Sequence, residues 1–345
     1  MAHHDPQSIS RHVDRGNASG SQAASEQRDI QQRQDQADQH APHDSRPGQQ
    51  GERQGPVQTT DHQYPGTPLP AQHLAKPGLE AQMQLQPEFL APDYHGSGKL
   101  AGMVAIITGG DSGIGRAVAV LYAREGADIA IVYLEEDQDA IDTKRHVEAE
   151  GQSCLLMRGD VRDPNFCRDV VGQTHRRFGR LDILVNNAAF QEHAEKITDL
   201  TEERFDLTMK TNVYGYFHMA KAAVPYLKRG GAIINTGSVV GLKGSAHLLD
   251  YSTTKGAIHA FTMSLASNLL ETGIRVNAVA PGPVWTPLNP ADQPADKISQ
   301  FGEQTDMRRP AQPQELSPAY VFLAAPCCSS YITGIVLPVT GSVGS

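Results

Sequence analysis

MVAIITGGDSGIG, residues 103–115, sets a short apolar, β-branched run against a turn carrying Gly109, Gly113 and Gly115. The run Met103 to Thr108 predicts a buried strand. A helical pattern follows from Arg116 to Glu125, and Gly126 ends it. Strand, glycine turn and helix in that order let a backbone approach a pyrophosphate closely, while the helix N-terminus adds amide donors and a favourable dipole. The residues placed against a dinucleotide would be Gly109, Asp111, Ser112, Gly113, Ile114 and Gly115. Their spacing departs by one residue from the general dinucleotide fingerprint, and glycine turns are common, so the turn alone decides little.

Working outward, strands and helices alternate. Asp128 to Tyr133 (DIAIVY) predicts a second strand whose end would reach the adenosine ribose. An acid there binds the 2′-hydroxyl of NAD and repels the extra phosphate of NADP. Tyr133 holds that position and is not acidic, but Glu135, Glu136 and Asp137 follow it, and neither Ser112 nor Leu134 is basic. The reading leans slightly to NADP(H) over NAD(H); the acids fit equally well as the start of the next helix. Ser153 to Arg158 leads into Gly159-Asp160-Val161, which puts Asp160 and Val161 where an adenine could be read. Asp160 is equally placed to cap a helix beginning near Pro164. Leu181 to Val185 (LDILV) leads into Asn186-Asn187-Ala188-Ala189, with Asn187 and Ala188 at the adenosine end. Such alternation predicts an α/β fold: a doubly wound, Rossmann-type parallel sheet with helices on both faces and ligands at the carboxyl ends of its strands.

In the second half, Gly231 to Thr236 (GAIINT) predicts a strand ending at Gly237-Ser238, which leaves the Ser238 hydroxyl at a strand's carboxyl end. Tyr251 and Lys255, at i and i+4, lie on one face of a helix running to about Leu270. An ammonium beside a phenol favours the phenolate and is expected to pull the Tyr251 pKa towards neutrality, so that it can exchange a proton with a substrate oxygen. Asn212 is a polar residue amid apolar neighbours in an earlier long helix, Arg204 to about Leu227.

The bulk composition bounds the rest. The chain has 345 residues and a net charge of −9 with acids and bases mixed, so no basic stripe points to nucleic acid. No segment approaches the length of apolar chain needed to span a bilayer, and no apolar signal region opens the sequence, which suggests the cytosol. Cys154, Cys167, Cys327 and Cys328 fit no metal or redox spacing, and no metal site is expected. Residues 1–75 are dense in Gln, His and Asp with almost no apolar runs and read as a disordered tail. Its histidines, among them His3, His4, His40 and His43, would bind metal weakly or a partner at most. Residues 76–99, punctuated by Pro77, Pro87 and Pro92, read as an extended arm lying on the core or on a neighbouring subunit. Residues 100–345 would form a single domain.

Taken together, the glycine turn, the Asn186-Asn187-Ala188 stretch and the set Asn212, Ser238, Tyr251 and Lys255 resemble the short-chain dehydrogenase/reductase family over residues 99–344. The finer match, including Gly109 to Arg116, Lys210 to Tyr214 and Pro283 to Leu288, resembles its general-stress, aldehyde-reductase and glucose/ribitol-dehydrogenase-like bacterial members. The resemblance implies an NAD(P)(H)-dependent oxidoreductase acting on a small aldehyde, ketone or polyol. It implies Tyr251 as general acid/base, Ser238 orienting the substrate oxygen, Lys255 on the coenzyme ribose, and Asn212 anchoring a relay water. It further implies Pro281, Gly282, Val284 and Thr286 at the nicotinamide, and a homotetramer. Ala189 departs from the family's usual glycine, as does the ending Thr340 to Ser345 from its usual double glycine. Gln191, His193, Val240 to His247 and a lid from Trp285 to about Arg309 are expected to wall the substrate, with Gln191 and Trp285 nearest it; Trp285 fits equally well packed beneath the lid, and His193 and His247 read more readily as ordinary loop histidines than as ligands of substrate hydroxyls. The rival reading is a silent nucleotide-binding sensor, or a stress protein with a working hydrophilic tail.

Overall fold

The computed structural model describes residues 6–40 and 55–343. Its centre is a seven-stranded, all-parallel sheet: β1 (Val104–Thr108), β2 (Asp128–Tyr133), β3 (Cys154–Arg158), β4 (Ile183–Asn186), β5 (Ala232–Thr236), β6 (Arg275–Pro281) and β7 (Val336–Val339), in the order β3-β2-β1-β4-β5-β6-β7. The order reverses direction between β1 and β4, so the crevice opens beyond those strands, as expected for a doubly wound sheet. β1, β5 and β6 are buried at every residue, which is why β1 and β5 read as near-continuous apolar runs; β6 also buries the polar Arg275 and Asn277.

Helices cover both faces. On one, the helices α2 (Gly113–Arg124) and α10 (Pro313–Ala324) pack together, with Leu121, Tyr122, Leu316 and Tyr320 inaccessible to solvent. Truncating Leu121 to alanine there would cost about 2–5 kcal/mol. On the other face, α4 (Pro164–Phe178), α6 (Gly215–Ala223) and α8 (Leu249–Leu269) bury Val170, Met219 and Leu269. Local chemistry sets their ends. Asp163, not Asp160, caps α4, accepting from the Asn165 amide at 2.8 Å with Pro164 following it, and Gly179 closes the helix at φ 78°. α10 opens with a Gln312–Glu315 capping box.

The helix expected from Arg204 to Leu227 is interrupted. α5 (Glu202–Met209) passes into α6 through a π-turn at Lys210–Tyr214, which contains Asn212. Single π-turns inside helices re-aim a side chain inward, and Asn212 is fully buried.

Ahead of the sheet, residues 55–100 form a strap without regular structure apart from a 3-10 turn at Glu80–Gln82. It lies on the chain's own core. Leu69, Leu74 and Met83 pack with Trp285, Ala291 and Ile298 in a small separate apolar cluster. Glu80 accepts from the Gly113 amide at 2.6 Å and pairs with Arg116 at 2.7 Å, while Tyr94 donates to Glu125 at 2.5 Å.

Of residues 1–75, read as disordered from composition, 1–5 and 41–54 lie outside the described residues, and the rest includes a long helix, α1 (Pro6–His40). Its buried residues Gly16, Gly20, Ala23, Ala24, Gln27, Ile30, Gln31 and Gln34 repeat every three or four positions, one face of a helix. Composition misses this because the face is small or amide-bearing rather than apolar. Gln31 donates to the carbonyls of Leu74 and Ala291 and accepts from the Lys76 amide at 2.8 Å. Hydrogen bonds therefore replace the hydrophobic area that the stretch lacks.

Candidate active site

One cavity of about 630 Å³ runs along the carboxyl ends of the strands. At one end it is lined by the glycine turn, the residues after β2 and Gly159 to Arg162; at the other by Ser238, Tyr251 and Lys255.

The glycine turn is shaped for close approach. Gly109 and Gly113 sit at φ 61° and 50°, where a side chain is strained, and a Cβ on Gly113 would meet Thr286 at 2.9 Å. Gly115 does not line the cavity; a Cβ there would fall inside the radius of the Gly109 carbonyl oxygen, so its role is to let α2 start against the turn. Asn187 donates its amide to the Gly109 carbonyl at 3.0 Å and accepts from the Thr236 hydroxyl at 3.1 Å, linking the turn to β5.

Asp111, Ser112, Ile114, Tyr133, Asp160, Val161, Asn187, Ala188, Pro281, Gly282, Val284 and Thr286 all line the cavity, where the sequence puts them. Tyr133 spends its hydroxyl on Asp137 at 2.8 Å, and Asp160 pairs with Arg162 at 2.7 Å. Two buried acids face this end. Burial, opposed by hydrogen bonds, pushes Asp111 up to about 6, and burial with the Asp111 charge pushes Glu136 up to about 8. Ala189 is accommodated without strain, since Ala91 and Arg308 are the non-glycine residues at positive φ among the described ones.

At the other end, Tyr251 and Lys255 share a face of α8, and the Lys255 Nζ stands 5.2 Å from the Tyr251 ring centroid. Lys255 donates to the Thr236 carbonyl at 2.8 Å. The pKa expectation is corrected here. Burial pushes the Tyr251 phenol well above its ordinary value, and burial pulls the Lys255 ammonium down to about 7. The dry surroundings penalise both charges, so the phenol beside Lys255 is not brought towards neutrality.

Asn212 lies behind the cavity, not in its wall. Its side chain accepts from the Phe190 amide at 2.7 Å and donates to the Phe190 carbonyl at 2.9 Å and the Thr254 hydroxyl at 3.0 Å. It clamps α8 to the loop after β4. Gln191 lines the cavity, its amide donating to Asp292.

Substrate-wall expectations fail at three residues, Trp285, His193 and His247. Trp285 does not reach the cavity: it is fully buried under the strap, with Nε1 donating to the Leu85 carbonyl at 2.9 Å. His193 is withdrawn into a buried ion network with Asp292 at 2.9 Å and Asp38 of α1 at 3.0 Å. Glu192 joins it, paired with Lys76 at 3.1 Å. Donor atoms of Glu192, His193 and Asp292 lie within 4.8 Å of one another, a spacing a metal could use, but the Lys76 ammonium and the histidine already meet their charge. His247 pairs with Glu195 at 3.5 Å outside the cavity.

Sequence reasoning missed lining residues from the strap and from α1: Lys76, Pro77 and Gly78, and Ala23 and Gln27. The signal available for α1 was the three-to-four spacing of its glycines, alanines and glutamines.

A family model described as enoyl-(acyl carrier protein) reductase matches residues 109–343. General stress protein 39 of Bacillus subtilis (strain 168) is 54% identical over 274 residues, 79% of this chain and 96% of that protein. The chloroplastic NADPH-dependent aldehyde reductase 1 of Arabidopsis thaliana is 46% identical over 273 residues, 77% of this chain and 95% of that protein. A short-chain dehydrogenase from Burkholderia cenocepacia J2315, solved in complex with NADP, superposes with a TM-score of 0.67 at 32% identity, covering 72% of this chain and 100% of that one. With its parallel sheet, its glycine turn and Ser238, Tyr251 and Lys255 along one cavity, this chain belongs to the short-chain dehydrogenase/reductase family of oxidoreductases.

Proposed function

We propose that this chain is an NAD(P)(H)-dependent oxidoreductase for a small carbonyl or alcohol, an aldehyde, ketone or polyol, with Tyr251 as general acid/base. The observation that carries the reading is that Ser238, Tyr251 and Lys255 line the same cavity as the glycine turn. The residues present fit a dinucleotide: the turn is a cradle that a Cβ at Gly113 would fill, and the cavity reaches from it to Tyr251. Gly109, Asp111, Ser112, Gly113 and Ile114 would hold the pyrophosphate, Tyr133, Asp160, Val161, Asn187 and Ala188 the adenosine, and Pro281, Gly282, Val284 and Thr286 the nicotinamide.

When bound, the coenzyme supplies or accepts the hydride. The chain's own part is positional and acid–base. Tyr251 gives a proton to the substrate oxygen in reduction and takes one in oxidation. Ser238 donates to the same oxygen as a preorganised dipole. Lys255 would hold the ribose hydroxyls beside Tyr251, and Asn212, locked to Phe190 and Thr254, fixes the helix that carries both. Gln191 faces the substrate.

Coenzyme preference leans to NADP(H), supported by the NADPH in the Arabidopsis relative's name and the NADP held by the Burkholderia protein. Self-association, as a homotetramer, is supported by Phe205, Tyr214, Phe217, Met263 and Leu270, which leave apolar area exposed on and around α5, α6 and α8. A cytosolic address fits four cysteines that are all free. Titration with NADPH and NADH, followed by turnover on a panel of aldehydes, ketones and polyols, tests the reading. Binding followed by oxidation of the coenzyme is expected; binding without turnover across the panel favours the sensor.

A further inference from the structure

The cavity continues beneath α1, a helix that precedes the residues matched by the family model. α1 crosses the carboxyl ends of β2 and β3. A Cβ on Gly16 would lie 2.9 Å from the Arg158 carbonyl oxygen, and one on Gly20 would collide with the Leu134 carbonyl. Those two strand ends are where the adenosine half of a dinucleotide rests in a doubly wound sheet.

Polar ties hold the helix there. Arg28 pairs with Glu135, Arg162 with Glu26 at 2.8 Å, and Arg158 donates to the Ser21 hydroxyl at 2.8 Å. Between these ties, Ala23 and Gln27 face the cavity opposite Tyr133, Leu134 and Asp160. Gln27 is only 8% exposed, and its side-chain amide, which makes no hydrogen bond among the described residues, opens onto the cavity. An amide in the cavity wall that no protein group engages is free to hydrogen-bond a polar ligand beneath it.

We infer that α1 is a wall of the coenzyme site: it roofs the adenosine half, with Ala23 against the flat purine or its ribose and the Gln27 amide hydrogen-bonding a polar edge of the nucleoside. The inference rests on the proposed function, since it takes the cavity to be the dinucleotide site. Docking of α1 buries few apolar side chains, so coenzyme and helix stabilise each other, and coenzyme leaves when α1 lifts.

The test uses the full chain and three single variants. Gly20→Val wedges the helix away from Leu134, Gln27→Ala removes the amide, and Gln32→Ala changes the exposed face of α1 as a control. Coenzyme Kd comes from titration with NADPH and NADH, and the dissociation rate from stopped-flow displacement. Gly20→Val is expected to weaken binding about tenfold and Gln27→Ala about threefold, both mainly through faster dissociation, with Gln32→Ala matching the parent. Parent-like affinity and dissociation in both Gly20→Val and Gln27→Ala overturn the inference while leaving the proposed function intact. Failure of the parent itself to bind either dinucleotide overturns both.

Discussion

The Nζ of Lys255 donates a 2.8 Å hydrogen bond to the carbonyl of Thr236, the last residue of β5, and so ties the helix carrying Tyr251 to the strand that leads into Ser238. In the proposed mechanism this bond sets the acid–base pair. Burial holds the Tyr251 phenol well above its ordinary value, so its protonated form persists through the neutral and mildly alkaline range. Carbonyl reduction, which needs that proton, is expected to stay level from pH 7 to 9, while alcohol oxidation, which needs the phenolate, climbs with pH. Tyr251→Phe should lower turnover by about 10³-fold in both directions with coenzyme affinity within a few-fold of the parent. Pre-steady-state rates and coenzyme titration check this; near-parental turnover would remove Tyr251 from the chemistry.

Gly115→Ala drives a methyl group into the Gly109 carbonyl. The start of α2 must shift, at a cost of about 1–3 kcal/mol, and the turn's amides move with it. A lowered unfolding midpoint together with coenzyme affinity reduced at least about tenfold is expected from denaturation and titration of one sample.

Glu136 lines the cavity beside Tyr133, and burial with the neighbouring Asp111 raises its carboxyl to about 8. Below that value it is neutral; above it, its charge opposes the 2′-phosphate of NADPH but not the hydroxyl of NADH. NADPH affinity relative to NADH should therefore fall as pH rises from 7 to 9. Glu136→Gln should flatten that slope and raise the ratio at pH 9 by roughly fivefold, about 1 kcal/mol of like-charge repulsion. Paired titrations at three pH values decide it.

His193 holds strap, lid and α1 together. Burial opposes its charge, but hydrogen bonds to Asp292, Asp38 and Glu192 outweigh that and raise its pKa to about 11. A histidine raised in the folded state contributes stability that is complete below its unfolded value near 6.5 and is lost as pH climbs through about 11. His193→Asn should cost about 3 kcal/mol at pH 7, and the gap to the parent should narrow by pH 10. Urea unfolding at both pH values measures it.

Trp285 is the one tryptophan of the chain and is fully buried against the strap. Its emission should be blue-shifted and resistant to acrylamide. Leu74→Ala, in the same cluster, should raise quenching and lower stability by about 2–3 kcal/mol, reading out strap docking directly.

The sheet and the cavity were legible because parallel strands buried on both faces read as continuous apolar runs, and because Ser238, Tyr251 and Lys255 keep a spacing that one strand end and one helix translate directly into proximity. What failed depended on partners remote in sequence or on dielectric. Asp160 stood as the candidate cap of α4, but Asp163, three residues on, accepts from the Asn165 amide and caps it instead. Trp285 turned from the cavity because its partners, Leu69, Leu74 and Met83, come from about two hundred residues earlier. Spacing placed Lys255 beside Tyr251 but carried no information on how dry that place is. α1 escaped because glycine, alanine and glutamine make a helix face by backbone proximity and amide bonding, which hydropathy does not register.

The strap's partnership with the lid also governs the order in which the protein can be made. Leu69, Leu74 and Met83 leave the ribosome well before Trp285, Ala291 and Ile298 exist, so they stay uncovered through synthesis of the entire sheet up to β6. At roughly 5–20 residues per second, that interval lasts on the order of ten seconds or more, during which nascent chains expose the same apolar segment to one another and to chaperones.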